Sequence, residues 1–217
     1  EIYPCDVSDN NDVEKVMEEI KDAYGGIDFI LHAIGMSPNV RKKIDYEDLN
    51  YKFFSQTLDI SAISLHKVIH YADKADLLND GGSIVALSYI GALRMFSKYS
   101  DMNDAKALLE SIARNYGSRL AGRGIRVNTV SQAPTRTSAG TGIGGFDAMY
   151  TFADKIAPLG NPDADECADY CVTLFSDLTR KVTMQNLYHD GGFSTSGISE
   201  EMIEGLAKVY ADQDDAS

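Results

Sequence analysis

The sequence predicts an α/β protein whose parallel sheet is covered by helices. Strand-like and helix-like segments alternate along the whole chain, the pattern of repeated strand–helix–strand units. The strand-like segments are short and almost continuously apolar, as in parallel strands buried on both faces. A length of 217 residues with a hydrophobic fraction of 44% supplies the core of one domain, so a single domain spanning residues 1–217 is expected.

Each element follows from its local pattern. Apolar side chains recur every three or four residues in the predicted helices, which span residues 9–24, 50–78, 101–120 and 163–177. The predicted strands are apolar runs bounded by turn residues, and they span residues 27–33, 83–88, 125–130 and 184–189. Gly25-Gly26 is expected to end the first helix and residues 79–82 (NDGG) the second, because glycine readily adopts the left-handed backbone of a helix end. Residues 212–217 are expected to fray.

Composition narrows the classes of partner. A net charge of −13 and a pI near 4.6 argue against nucleic acid and anionic membrane surfaces, which repel an acidic protein. No apolar run approaches the roughly 20 residues that a membrane span needs. Three sparse cysteines indicate a reducing compartment, the cytoplasm, and Cys167 and Cys171 are expected to be core residues on one helix face. Neither has the His or Cys neighbours of a zinc site, so no metal is expected.

Two parts of the chain are candidates for ligand binding. Ligands of open parallel sheets bind beyond the carboxyl ends of the strands, and small residues there let a flat ligand approach the backbone. These positions are Cys5-Asp6-Val7, Ala33-Ile34-Gly35, Leu87-Ser88-Tyr89, Ser131-Gln132-Ala133-Pro134-Thr135 and Asp190-Gly191-Gly192. The second candidate is the segment 136–147 (RTSAGTGIGGFD), whose four glycines indicate a mobile functional loop.

Tyr99 and Lys106 form a candidate pair of reacting residues. If their segment is helical, a spacing of seven residues is close to two turns and places both side chains on one face. A lysine beside a tyrosine favours the phenolate and leaves an ammonium free to bind ligand hydroxyls. The pair could therefore act as a proton donor or oxyanion stabiliser, although such spacing alone is common on helices.

Three motifs of the chain resemble those of one enzyme family. LSYIGALR…KYSDMNDAKA contains Tyr-x6-Lys and the additional Tyr89 ten residues before Tyr99, and the other two motifs are SQAPTRT and HDGGFS. They resemble the motifs of the enoyl-acyl-carrier-protein reductases of bacterial fatty-acid synthesis, within the short-chain dehydrogenase/reductase superfamily, which have SAGPIRT and VDGGFS, so that His189 stands in place of an apolar residue. Ordinary superfamily members have Tyr four residues before Lys, where this chain has Met102. The resemblance covers residues 5–196 and implies a Rossmann-like, doubly wound parallel sheet in three α/β/α layers.

The resemblance also implies a reaction and roles. The reaction is reduction of the double bond of a trans-2-enoyl thioester on acyl-carrier protein, the last step of the fatty-acid elongation cycle, with NADH expected as reductant and NADPH as the alternative. Tyr99 would stabilise the enolate, Tyr89 would shape the substrate pocket, and Lys106 would hold the nicotinamide ribose. The other cofactor contacts would be Asp6 and Val7 at the adenine, Ala33, Ile34 and Gly35 at the adjoining ribose, and Leu87, Ser88, Ala133, Pro134 and Thr135 at the nicotinamide. Residues 136–160 would be the substrate-binding loop region.

Several departures keep alternatives open. The family's first strand–helix–strand unit, with its glycine-rich phosphate turn, does not precede Glu1, so the fold is expected to be N-terminally incomplete and Glu1 to be internal to a longer chain. A carbonyl-reducing dehydrogenase and a non-catalytic truncated relative are the competing functions. Asp6 could instead cap the first helix.

The expected partner and assembly also come from the resemblance. An acidic carrier protein needs a local positive patch on this acidic chain, and Arg41-Lys42-Lys43 and Arg136 are the candidates. Coenzyme A thioesters are the alternative substrates. The superfamily assembles through its long helices, here 50–78 and 101–120, which implies a homotetramer or homodimer.

Overall fold

The computed structural model describes residues 1–136 and 145–214, and it contains a parallel sheet with helices on both faces. The strands are β1 (Ile27–His32), β2 (Leu78–Ser88), β3 (Arg126–Gln132) and β4 (Asn186–His189), and they lie side by side in that order. All three neighbouring pairs are parallel. The α/β class and the parallel sheet predicted from the sequence are therefore confirmed.

The helices occupy most of the chain between the strands. They are α1 (Asn10–Tyr24), α2 (Pro38–Arg41), α3 (Tyr51–Leu58), α4 (Ser64–Lys74), α5 (Met102–Leu120), α6 (Phe146–Ile156), α7 (Ala164–Phe175) and α8 (Glu200–Asp214). Local caps explain where α1 and α7 begin. The Asp9 carboxylate accepts a hydrogen bond from Asn11 N, and Asp163 and Glu166 form a reciprocal capping box. Asp9, rather than Asp6, therefore caps the first helix.

The second predicted helix differs from the structure in its interior and at its end. Asp59–Ile63 forms a wider π-helical turn between α3 and α4, and α4 ends at Lys74 rather than at residue 78. Asp76 adopts a positive φ of 50°, which turns the chain directly into β2. Residues 79–82 lie within β2 as an irregularity, since Ile27 pairs with Leu78 and Phe29 with Ser83.

The first strand is not buried on both faces as its apolar sequence predicts. Among the described strands β1 lies at the sheet edge and pairs only with β2. On the face towards α7, Phe29 stacks on Phe175 with ring centroids 5.0 Å apart but remains 52% exposed. The prediction was wrong because burial of a strand depends on neighbouring elements, which an apolar run does not specify.

Two core clusters fill the spaces above and below the sheet. Alternation along β2 sends Ile84 and Ala86 into one cluster with α1, α4 and α5, and Val85 into the other with α7. Cys167 and Cys171 lie in the second cluster, so their prediction as core residues of one helix face is confirmed. No helix in residues 1–136 and 145–214 is long and apolar enough to cross a membrane.

Parts of the predicted loop and of the predicted tail lie outside the described residues. Of the predicted segment 136–147, residues 137–144 lie outside the described residues, and 146–156 form α6 within the predicted 136–160 region. Of the predicted frayed tail, residues 212–214 form the end of helix α8, and residues 215–217 lie outside the described part of the chain. Helix α8 was not predicted.

Candidate active site

A cavity of about 310 Å³ lies beyond the carboxyl ends of β1, β2 and β3. Every residue to which the resemblance assigns a role lines it except Asp6 and Val7, which line a separate depression beside α1 with Cys5; Ser131 and Asp190-Gly191-Gly192, also candidates from their positions after strands, do not line it. The predicted residues that line the main cavity are Ala33, Ile34, Gly35, Leu87, Ser88, Tyr89, Tyr99, Lys106, Ala133, Pro134 and Thr135. Residues from four distant parts of the sequence therefore meet here because the parallel strands all end at this edge of the sheet.

Tyr99 and Lys106 share the cavity without sharing a helix. Tyr99 ends a short 3-10 turn, Ser97–Tyr99, and Ser100 then adopts a φ of 46° before α5 begins at Met102. The two residues therefore do not lie on one helix, the condition under which their spacing would place them on one face. The reversal at Ser100 nevertheless returns the phenol to the same cavity as the ammonium of Lys106.

The two tyrosines form one aromatic wall. The rings of Tyr89 and Tyr99 meet edge to face with centroids 4.9 Å apart, and both side chains are buried. Burial raises the pKa of each phenol above its usual value, and for Tyr89 the neighbouring Tyr99 adds to the effect. The phenolate expected from a nearby lysine is thus not favoured, because burial dominates. Tyr99 is a neutral hydrogen-bond donor in this site.

Lys106 is buried in the site, which is unusual for a lysine. Its Nζ atom donates a hydrogen bond to the carbonyl oxygen of Leu87 at 2.8 Å. Burial lowers the pKa of Lys106 to about 8, and the charge of Glu110 opposes that change. An ammonium has three protons, and Leu87 O is its only acceptor among the described residues, so two protons are available to a ligand in the cavity.

Glu110 is a neighbour of the site that sequence reasoning missed. It lies one turn after Lys106 in α5 and accepts a hydrogen bond from the hydroxyl of Ser88 at 2.7 Å. Burial raises the pKa of Glu110, although the Ser88 hydrogen bond acts in the opposite direction. The spacing of four residues could have indicated the charge interaction between Glu110 and Lys106, since such residues are neighbours on a helix.

His32 is a buried neutral residue beneath the cavity. Its Nε2 atom lies 2.8 Å from Ser64 Oγ, and burial together with the charge of Lys106 lowers its pKa to about 4. Ser64 Oγ donates to Ile60 O at 2.6 Å, so it must accept from His32 Nε2–H. This arrangement fits a structural role for His32. Among residues 1–136 and 145–214, no cluster of three metal-ligating side chains is present.

A buried carboxylate fixes the cavity wall formed by α2. Asp101 is fully buried and is within hydrogen-bond distance of Ser37 Oγ at 2.6 Å, Asn39 Nδ2 at 2.8 Å and Thr57 Oγ1 at 2.9 Å. Ser37 also caps α2, whose Val40 lines the cavity. Sequence reasoning missed Asp101, because its partners lie 44 to 64 residues away.

Asp6 and Val7 line the depression beside α1, apart from the main cavity. Lys67 holds this segment by donating to the carbonyl oxygens of Val7 at 3.2 Å and Ser8 at 3.1 Å. The Asp6 carboxylate accepts from the Ser8 backbone and hydroxyl, and these hydrogen bonds lower the pKa of Asp6. Lys67 was not predicted as part of this segment.

The residues of the main cavity fit the nicotinamide half of a dinucleotide cofactor. Small side chains at Ala33 and Gly35 on one strand end, and at Ala133 on another, leave backbone exposed to a flat ring. Lys106 offers two ammonium protons to sugar hydroxyls in the same space. The chemistry that such a site supports is hydride transfer to an acceptor placed against Tyr99.

Residues 1–194 match a family model described as enoyl-(acyl carrier protein) reductase. The chain is 36% identical over 212 residues to enoyl-[acyl-carrier-protein] reductase [NADH] 2 of Rhizobium meliloti, covering 97% of this chain and 78% of that protein. It is 34% identical over 197 residues to the Bacillus cereus protein named enoyl-[acyl-carrier-protein] reductase [NADH] FabI, covering 90% and 76% of the two chains.

Solved structures agree with the sequence comparisons. The crystal structure of a FabI–NADH complex from Alistipes finegoldii superposes with a TM-score of 0.89 at 57% identity and covers 91% of this chain and 70% of that one. An Aquifex aeolicus structure described as enoyl-[acyl-carrier-protein] reductase (NADH) superposes with a TM-score of 0.84 at 31% identity, covering 90% and 76%. These similarities confirm the predicted Rossmann-like fold.

Proposed function

The chain belongs to the enoyl-(acyl carrier protein) reductase family, and we propose that its own residues reduce the double bond of an enoyl thioester with NADH. One observation carries the proposal. Tyr89, Tyr99 and Lys106 come from separate segments and line one cavity beside the small residues that fit a nicotinamide. NADH supplies the hydride when it is bound, and the chain's residues position the substrate and stabilise the charge that develops.

Tyr99 is the proposed oxyanion stabiliser. Hydride addition to the β-carbon of an enoyl thioester places negative charge on the thioester oxygen. A buried, neutral phenol donates a strong hydrogen bond to that oxygen because few waters compete for it. Tyr89 packs edge to face against Tyr99 and sets the position of its ring. Tyr89 therefore shapes the pocket around the thioester.

Lys106 is the proposed ribose ligand. Its hydrogen bond to Leu87 O ties the ammonium to the end of β2, while its other protons reach the ribose hydroxyls. Leu87 and Ser88 on β2 and Ala133-Pro134-Thr135 after β3 would enclose the nicotinamide between them. Ala33-Ile34-Gly35 would contact the adjoining ribose, and Asp6 and Val7 the adenine end.

The proposed docking surface for the carrier protein is the segment Arg41-Lys42-Lys43. All three side chains are exposed, and Arg41 also lines the cavity. Arg136, the other candidate, lies 3.1 Å from Asp147 and over the ring of Tyr150, so its charge is already paired. On a chain of net charge −13, this exposed basic segment offers an acidic partner a favourable approach, with the Lys42 ammonium over the ring of Phe53.

We also propose assembly and location. The exposed Tyr51 and Ile63, at the start of α3 and in the π-helical turn, support a dimer or tetramer formed through the long helices. Light scattering on the purified chain measures that state. The free thiols of the cysteines fit a cytoplasmic location.

The test is oxidation of NADH and NADPH with crotonyl thioesters of carrier protein and of coenzyme A. Lys106→Ala should lose nearly all activity, and Tyr99→Phe should lose roughly 10² in kcat, the scale of one removed oxyanion donor. Tyr46→Phe is the matched control, because its hydroxyl contacts Asp104 at the surface. Activity with a ketone but not with enoyl thioesters would favour the carbonyl reductase. No turnover by folded protein would favour a non-catalytic relative.

A further inference from the structure

Three polar side chains next to the cavity form a continuous chain of hydrogen bonds. His189 Nδ1 lies 2.8 Å from Gln132 Oε1, and Gln132 Nε2 lies 3.1 Å from Thr135 Oγ1. Thr135 Oγ1 in turn donates to Ala133 O at 3.0 Å. Gln132, Ala133 and Thr135 line the cavity, whereas His189 is not among its lining residues.

The last acceptor of this hydrogen-bonded series, Ala133 O, determines where the protons lie along it. Thr135 has one hydroxyl proton, which it gives to Ala133 O, so it accepts from the Gln132 amide nitrogen. The amide oxygen of Gln132 then has to accept from His189, which fixes the proton on Nδ1 of the imidazole. All members of the chain are therefore oriented in one direction, from His189 towards the turn at Ala133.

His189 is itself held firmly. Its ring stacks on Tyr170 with centroids 5.1 Å apart and an interplanar angle of 15°. It pairs with Gln132 in the parallel register of β3 and β4, and its carbonyl oxygen accepts a hydrogen bond from Ala133 N at 3.2 Å. The backbone of His189 therefore binds the beginning of the turn at Ala133. Its side chain is connected through Gln132 to the end of the same turn at Thr135.

We propose that His189 is a positioning residue for the turn Ala133-Pro134-Thr135 and that it acts through Gln132 to set NADH affinity. The proposal rests on the proposed function, in which this turn faces the nicotinamide. The family motifs SAGPIRT and VDGGFS have Ala, Gly, Ile and Val where this chain has Gln132, Ala133, Thr135 and His189. The three departures that introduce a polar side chain, at Gln132, Thr135 and His189, are thus members of one hydrogen-bonded chain.

The test measures NADH binding to the full chain by the change in nicotinamide fluorescence. His189→Val should raise the Kd for NADH about two- to tenfold, the scale of one net hydrogen bond. His189→Asn should restore binding, because an asparagine amide can donate from about the position of Nδ1. Tyr170→Leu is the matched control, since it removes the ring stack and leaves the Gln132 contact in place.

A double-mutant cycle distinguishes a positioning role of His189 through Gln132 from a role in packing alone. Gln132→Ala should raise the Kd as His189→Val does, and the two changes together should cost little more than either alone, because they interrupt the same connection. In steady-state assays the KM for NADH should rise while kcat and the KM for crotonyl thioester stay within about twofold of the wild type. A general loss of folding would change all three parameters.

The possible outcomes distinguish failure of the positioning role of His189 from failure of the proposed function. Wild-type affinity in His189→Val, additive effects in the cycle, or an equal loss in Tyr170→Leu would each overturn the positioning role alone, provided that the wild type oxidises NADH. A wild type that binds no NADH overturns the proposed function and this inference together.

Discussion

The burial of Lys106 leads to a measurable dependence of stability on pH. Its side chain is only 7% exposed, and burial lowers its pKa from 10.5 to about 8. In the unfolded chain the same lysine is fully hydrated and keeps its ordinary pKa. Folding at neutral pH therefore has to remove a charged ammonium from water. Replacing Lys106 with methionine, which has a similar length and no charge, removes that cost.

The sign and size of the effect follow from proton linkage. Between about pH 8 and 10.5 the unfolded state binds a proton that the folded state has lost, so the free energy of unfolding rises with pH. The contribution is fully present above the unfolded pKa and is lost as pH falls through 8. At about 1.4 kcal/mol for each pH unit, the full difference is about 3 kcal/mol. Between pH 7 and 9.5 it amounts to about 2 kcal/mol.

The assay is urea unfolding of wild type and Lys106→Met at several pH values and one fixed protein concentration. The advantage of Lys106→Met should be largest at pH 7 and should shrink by about 2 kcal/mol by pH 9.5. Lys98→Met is the control for losing a lysine, because its side chain is 74% exposed. A difference between wild type and Lys106→Met that stays constant over this range would refute the reasoning, since it would mean that Lys106 remains hydrated.

Two further predictions concern the packing around the site. Gly191→Ala should destabilise the protein by more than about 2 kcal/mol in urea unfolding, because its φ is 61° and an added Cβ would lie 2.0 Å from Gly160 O. Gly122→Ala, with nothing within 4 Å, should change stability little, and equal effects at the two glycines would contradict the argument. Asp101→Ala should cost about 3 kcal/mol or more, since Ser37 Oγ and Asn39 Nδ2 lose their buried carboxylate acceptor, whereas the Thr57 hydroxyl keeps Phe53 O as an acceptor. The half-buried Asp104, which accepts a surface hydrogen bond from Tyr46, is its control, and a comparable loss in Asp104→Ala would show that buried hydrogen bonds are not the cause.

The parts of the fold that were predictable are those with local causes. Helix α1 follows from its apolar period and from Gly25, whose φ of 75° ends it. The end of α4 does not, because the turn at Asp76 and the irregularity at residues 79–82 depend on how β2 pairs with β1. An apolar period that runs on through such a turn cannot reveal it. The burial of Phe29 likewise depends on neighbours that its own strand does not encode.

The site, like the fold, has features that the sequence predicts and features that depend on neighbouring elements. Tyr99 and Lys106 were predictable from their spacing in a recognised motif, yet their meeting depends on the φ of 46° at Ser100 rather than on one helix face. The contact between Gln132 and His189 joins residues 57 apart and exists only because β3 and β4 are adjacent. Sequence reasoning found both residues next to strand ends and gave neither a role. Register between strands is the missing information.

Loss of the Lys106 proton at high pH should also weaken cofactor binding, because the same ammonium is the proposed ribose ligand. If only the charged form binds, the apparent Kd for NADH is divided by the charged fraction. With a pKa of about 8, that fraction falls from about nine-tenths at pH 7 to about one-tenth at pH 9, so the Kd should rise about tenfold. Lys106→Met should bind NADH more weakly and with no such dependence. A wild-type Kd that is flat over this range would separate the two roles: Lys106 could still be desolvated, but its charge would not be what holds the cofactor.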